Sequence, residues 1–263
     1  MRIITTTFAL IFLLVSCNND DQGGTTKNVN KRLKSIKTFT SAFFYEYGSN
    51  NFISKEHVNY GGDRIVGTVE YIYNSKNQII EINQQSKNKE VDGTFKNFVV
   101  NINYQYSNEI LISSIEYFGY LEETGRNEVK STYEYNNGNL VKKIEETTDS
   151  FNNYYNIHTF YTYSNNKLIS AESKLFENGA YIPGSKIVTY TYDTKVNPEY
   201  NLFPKSYLMI KGYNVNNIIS YFDDQNPNAS YDDVITYDKD DFPEKKLRSF
   251  GNGNQLEYLY EYE

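Results

Sequence analysis

The chain has 263 residues, with 33 acidic against 26 basic side chains for a net charge of −7, and a mean hydropathy of −0.66. This balance offers no basic surface for nucleic acid, and no apolar run after residue 17 approaches the ~18 residues of a membrane-crossing helix. The outlier is aromatic content: 27 Tyr and 16 Phe with no Trp, and Tyr suits the half-buried pleat of a sheet.

The first segment, "MRIITTTFALIFLLVSC", places Arg2 ahead of an apolar stretch from Phe8 to Val15, and Ser16 before Cys17. A stretch this short predicts a signal peptide over residues 1–17. Its last four residues, Leu14-Val15-Ser16-Cys17, resemble a bacterial lipobox. That resemblance implies cleavage before Cys17, which becomes the lipidated mature N-terminus carrying a diacylglycerol on its thiol. Cys17 is the only cysteine, so no disulfide can hold the fold. Residues 18–35 are poor in apolar side chains and read as a flexible tether. Asp20-Asp21, just after the cysteine, resembles the surface-export signals of Bacteroidota lipoproteins.

Residues 36–263 form an internal repeat. Tyr-x-Tyr pairs occur at Tyr45/Tyr47, Tyr71/Tyr73, Tyr104/Tyr106, Tyr133/Tyr135, Tyr161/Tyr163, Tyr190/Tyr192 and Tyr260/Tyr262. Each of the first six is followed by a polar turn cluster, such as "NNGN", and then by aliphatics such as Ile79-Ile80 or Leu140-Val141. The tyrosines of a pair share one strand face, and Asn137-Gly138 supplies the positive φ angles of a tight hairpin turn. On the outgoing strand, simple alternation puts Leu140, Lys142 and Ile144 on one face, with Val141 and Lys143 on the other. Seven such hairpins predict an all-β antiparallel meander of about 14 strands, closing into a barrel-like or strongly curved sheet so that no edge stays open. No apolar stripe at helical spacing is visible. The faces opposite the tyrosines carry Glu70, Glu134, Lys142, Glu172 and Lys174, charges that would be costly against lipid.

The hairpin unit resembles the YD repeats of bacterial surface proteins, with the Tyr-Asp dipeptide present at Tyr192-Asp193 and Tyr237-Asp238. "YDTKVNP" (192–198), "NVNNI" (214–218) and "TYDKDDFPEKK" (236–246) resemble a family of Bacteroidota outer-membrane lipoproteins of unknown function with a porin-like β fold. The resemblance implies a barrel-like domain and an outer-membrane lipid anchor, and it brings no assigned activity.

The parts of familiar active sites are missing. His57 and His158 are the only histidines and both read as strand residues; no HExxH, Cys/His cluster or GxSxG motif occurs, and no cofactor is implied. Asp223-Asp224, Asp232-Asp233 and Asp238/Asp240/Asp241 could hold a cation or flank a glycosidic bond, although short acidic turns account for them more simply. The repeat tyrosines read as core. Tyr117, Phe118, Tyr120, Phe151, Tyr154, Tyr155 and Tyr181, outside the repeat, are the better surface candidates for stacking on sugars. The expectation is a non-catalytic, lipid-anchored envelope protein that binds a ligand such as a glycan. Its alternatives are a structural or interaction module with an envelope partner, or a hydrolase using loop carboxylates. Any site is expected where the repeat is broken.

Overall fold

The structure, a computed structural model, describes residues 31–60, 66–89, 94–121, 127–148 and 153–263. Cys17, the signal segment and Phe151 lie outside the described residues. Among them run β1 (Leu33–Thr38), β2 (Ser41–Tyr47), β3 (Ile53–Tyr60), β4 (Val66–Tyr73), β5 (Ile79–Lys89), β6 (Phe95–Ser107), β7 (Ile110–Tyr120) and β8 (Asn127–Asn136). Then come β9 (Asn139–Thr148), β10 (Tyr154–Ser164), β11 (Lys167–Glu177), β12 (Ala180–Val196), a short helix α1 (Lys205–Lys211), β13 (Asn216–Asp223), β14 (Tyr231–Tyr237), β15 (Pro243–Phe250) and β16 (Gln255–Tyr262). Every strand pairs antiparallel with its sequence neighbour, and β1 closes the circle on β16, with Leu33 opposite Tyr262. The expected closed meander is there, with sixteen strands in place of fourteen. The pair β14–β15 escapes the Tyr-x-Tyr count because Ile235 stands where the first tyrosine would be. β1 opens at Leu33, just ahead of the sequence-based boundary at residue 36.

One local device recurs around the barrel. The second tyrosine of a pair sits directly opposite the first inward aliphatic of the outgoing strand, as Tyr73 faces Ile79 and Tyr135 faces Leu140, and a β-bulge follows at once. The extra residue resets the alternation, so tyrosine and aliphatic both point inward while the rest of the strand keeps its polar side out. Simple alternation is corrected here: past the bulge at Val141, Lys143 pairs with Tyr133 on the inner face, while Lys142 pairs with Glu134 and Ile144 with His158 on the outer face. The inward aliphatics Leu33, Ile53, Ile79, Leu111 and Leu140 are almost fully enclosed and form a ring at one end of the barrel. The second tyrosines lock this ring. Tyr47 donates to the Leu33 carbonyl at 2.7 Å, Tyr73 to Ile53 at 2.6 Å, Tyr106 to Ile79 at 2.8 Å and Tyr192 to Leu168 at 2.7 Å. Each bond ties one hairpin to the outgoing strand of the hairpin before it, for about 1 kcal/mol apiece.

The short turns joining these hairpins use residues that tolerate left-handed backbone. Asn51, Asn77, Asn108, Asn137 and Asn165 all have positive φ, and Asn137-Gly138 (φ 49° and 78°) forms the expected tight turn.

Between β12 and β13 the repeat breaks. Residues 197–215 fold inward at the tyrosine-ring end and plug the barrel. Pro198 opens a single 3₁₀ turn, and the Asn197 side chain accepts the Glu199 N–H at 3.0 Å. The helix α1 follows and ends at Gly212 (φ 68°), whose left-handed turn lets the Tyr213 N–H bond back to Leu208 at 3.0 Å. Leu202, Phe203, Tyr207 and Leu208 are buried against the ring, and the Ile53 N–H donates to the Leu202 carbonyl at 3.0 Å. No helix was legible in the sequence, since seven residues are too few to display a helical stripe.

The barrel exterior carries ion pairs beside exposed hydrophobic side chains such as Phe44, Ile72, Phe222 and Val234. Lys37 meets Glu261 at 2.6 Å, Lys55 meets Glu70 at 2.8 Å, Lys130 meets Glu128 at 2.8 Å and Lys174 meets Glu172 at 3.0 Å. No described helix is long and apolar enough to cross a membrane.

Candidate functional site

Where the plug stops, a cavity of about 370 Å³ remains inside the barrel. Its floor is the plug and its walls are β1–β4 with β15 and β16. The first tyrosines of the repeat reach into it from the wall, Tyr45 from β2, Tyr71 from β4 and Tyr260 from β16, and Tyr213 rises from the plug. The volume lies within the ordinary range for small-molecule sites, and the lining has the ordinary character: aromatic faces with a few polar groups between them.

Four charged groups share this space: Glu56 from β3, Glu199 and Lys211 from the plug, and Lys246 from β15. None forms an ion pair with another of the four. Glu56 accepts one hydrogen bond, from the Tyr71 hydroxyl at 3.3 Å. Among the described residues, no side chain comes within hydrogen-bonding or ion-pairing distance of the Glu199 carboxylate. It is half-buried and lines the cavity. Burial raises its pKa, against the pull of Lys246 and Arg248. Lys211 lies over the Tyr207 ring at 5.5 Å, with no carboxylate in ion-pair range among the described residues. Its ammonium remains accessible within the lumen, and the surrounding walls lower its pKa, helped by Lys143. A half-buried carboxylate without a side-chain partner, facing a cavity, is a candidate point of contact for a ligand.

Lys246 belongs to a second layer. Asp233 on β14 is fully buried and receives both Nε and Nη2 of Arg248 at 2.8 Å, with Lys246 Nζ at 3.7 Å. The Arg248 guanidinium lies 3.4 Å over the Tyr231 ring, and Lys246 lies 4.3 Å over Tyr258. Burial, then repulsion from Arg248, lowers the Lys246 pKa.

Burial pushes Glu56 up to about 7, opposed by the Tyr71 hydrogen bond and reinforced by Glu199. Because the folded state holds this proton more tightly than the unfolded chain, the group's stabilising contribution is complete below its ordinary range near 4.5 and is lost as pH rises towards 7. Glu56→Gln is therefore expected to raise stability at pH 8 by about 1–3 kcal/mol, the screened value of such a shift, and to change little at pH 4. Paired denaturant melts at the two pH values measure this, and an equal effect at both would contradict it.

Apart from Asp233, which adjoins the cavity through Lys246, the candidate site residues singled out from sequence do not line it. His57 sits on the outer wall with Nε2 2.6 Å from Glu46. His158, also outward-facing, is stacked on Phe176 at 4.8 Å, with Nδ1 2.8 Å from the Tyr181 hydroxyl. Two of the three acidic clusters are turn caps: Asp223 accepts the N–H groups of Gln225 and Asn226, and Asp238 those of Asp240 and Phe242, whereas Asp232 and Asp233 lie on β14, where Asp233 pairs with Arg248. Among the described residues, no acidic or histidine group is arranged to hold a metal ion. Of the non-repeat aromatics, Tyr117 and Tyr154 face outward, each hydrogen-bonded to a glutamate, whereas Phe118 and Tyr120 face the lumen around Phe98. Sequence reasoning missed all four cavity charges. Only the break in the repeat pointed at two of them, Glu199 and Lys211.

No family model matches the chain, and no curated protein does. Among solved structures, a porin-like protein from Bacteroides vulgatus is similar over 89% of this chain and 99% of its own, with a TM-score of 0.46 and 11% identity. A porin-like protein from Bacteroides uniformis is similar over 88% of this chain and 98% of its own, with a TM-score of 0.43 and 12% identity.

Proposed function

We propose that the protein is a non-catalytic, lipid-anchored component of the bacterial outer membrane, held through Cys17, whose barrel lumen binds a neutral, hydroxyl-rich ligand such as a glycan. The observation that carries the binding reading is the half-open cavity inside the barrel, with four charges that do not pair with one another. Two carboxylates and two ammonium groups balance formally, so a neutral ligand fits better than an ion. Glycans offer hydroxyls that both donate and accept, and flat apolar ring faces that suit tyrosine.

Isothermal titration against hits from an array of neutral glycans tests this. Glu199→Gln keeps the shape of the site and removes the charge-assisted hydrogen bond, so it is expected to weaken binding about 10- to 100-fold without lowering the melting temperature. Absence of any glycan binding, or an unchanged affinity in Glu199→Gln, would overturn the reading.

A second reading, glycoside hydrolysis, has one observation in its favour: Glu56 and Glu199 line the same cavity. Under the binding reading, mass spectrometry recovers the bound glycan intact after prolonged incubation.

A further inference from the structure

Above the cavity the lumen wall carries a second aromatic surface. Tyr190, Tyr221, Tyr231 and Phe250 stand on four successive strands, β12 to β15, and are register partners in turn. All four face inward as neighbours across the strands, a belt with ring centroids 5.7, 5.3 and 6.3 Å apart. The Tyr221 and Tyr231 rings are stacked at 19°. This belt joins the cavity without a gap in chemistry. Arg248 covers Tyr231 at 3.4 Å and reaches towards Tyr258 at 5.4 Å, and Tyr258 lines the cavity. Along β15 the belt at Phe250 and the rung at Lys246 are four residues apart, about 13 Å at the rise of a strand. That is longer than one sugar ring.

The plug sets the other boundary. Leu202, Phe203, Tyr207 and Leu208 fill the barrel behind the cavity, so a ligand on this track cannot pass through. We infer that the ligand is a linear oligosaccharide bound by its end: one terminal unit occupies the cavity against the plug, and the following units run along the β14–β16 wall to the aromatic belt. This inference rests on the glycan reading and gives it a length and a polarity. The belt acts on the second and later units only, and a ring-closed glycan has no end to offer.

The test uses the full protein against linear glucose-, mannose-, galactose- and N-acetylglucosamine-based series from monomer to hexamer, with cyclic glucans alongside. Affinity is expected to rise with length by about three- to tenfold for each ring engaged and then level off. Tyr231→Ala should abolish the rise while leaving monomer affinity unchanged. Phe250→Ala, which leaves the Arg248–Asp233 pair untouched, should reduce the rise and guards against a folding defect in the first variant. Cyclic glucans binding as tightly as linear ones, equal affinity for monomer and hexamer, or a Tyr231→Ala loss shared by monomer and hexamer would each overturn the end-bound arrangement. Failure of every glycan to bind would instead overturn the glycan reading beneath it.

Discussion

Cys17→Ala is expected to move the protein entirely from the membrane fraction to the soluble fraction and to abolish incorporation of labelled palmitate. Under the proposed anchor, all membrane affinity comes from acyl chains on this residue. One chain binds only marginally, and two or more, at about 0.8 kcal/mol for each buried CH₂, hold stably. The charges on the barrel wall oppose a second route, insertion of the barrel itself. Its outer face carries pairs such as Lys55–Glu70 and Lys130–Glu128, and a lysine facing the middle of a bilayer costs about 2–4 kcal/mol. A Cys17→Ala protein that stays in carbonate-washed membranes would contradict both the anchor and the reading of the exterior as water-facing.

Asp233→Ala is expected to cost about 3–5 kcal/mol of folding stability, because it leaves Arg248 and Lys246 buried without their shared counter-charge. The carboxylate is fully enclosed and takes two hydrogen bonds of 2.8 Å from Arg248. Denaturant unfolding measures the loss. Replacing all three together, as Asp233→Leu with Arg248→Met and Lys246→Met, should restore much of it, since the penalty lies in the orphaned charges. A loss below about 1 kcal/mol in Asp233→Ala would mean that the network is open to solvent.

The repeat made most of the barrel legible. Tyr133, Tyr135 and Asn137-Gly138 announce a hairpin through period-two alternation and turn chemistry, both local properties. The bulge at Val141 is not local: it arises because Tyr135 and Leu140 both gain by facing the ring, and only the closed barrel makes that possible. Hence Lys142 and Lys143 were assigned to the wrong faces. The eighth hairpin hid behind Ile235, which packs where a tyrosine does elsewhere.

The site was barely legible. Glu56, Glu199, Lys211 and Lys246 come from β3, from two parts of the plug and from β15, and no spacing along the chain links them. Their convergence depends on the direction in which residues 197–215 fold. That direction is inward because Leu202, Phe203, Tyr207 and Leu208 find the tyrosine ring there. Read as sequence, the same stretch is apolar enough to be buried, but nothing in it says which way it folds. The acidic clusters drew attention because they are conspicuous in sequence; the Asp223 and Asp238 carboxylates prove to be occupied with backbone N–H groups, and Asp233 with Arg248.

The claim that the lumen is the binding site is tested most directly by NMR of the protein with ¹³C-labelled tyrosine rings, titrated with the best array glycan. The resonances of Tyr45, Tyr213, Tyr258 and Tyr260 should shift and saturate with the calorimetric affinity, while outward-facing Tyr117 and Tyr154 stay in place. Shifts confined to Tyr117 and Tyr154, with the four lumen tyrosines unmoved at saturation, would place the ligand on the outer wall and contradict the account.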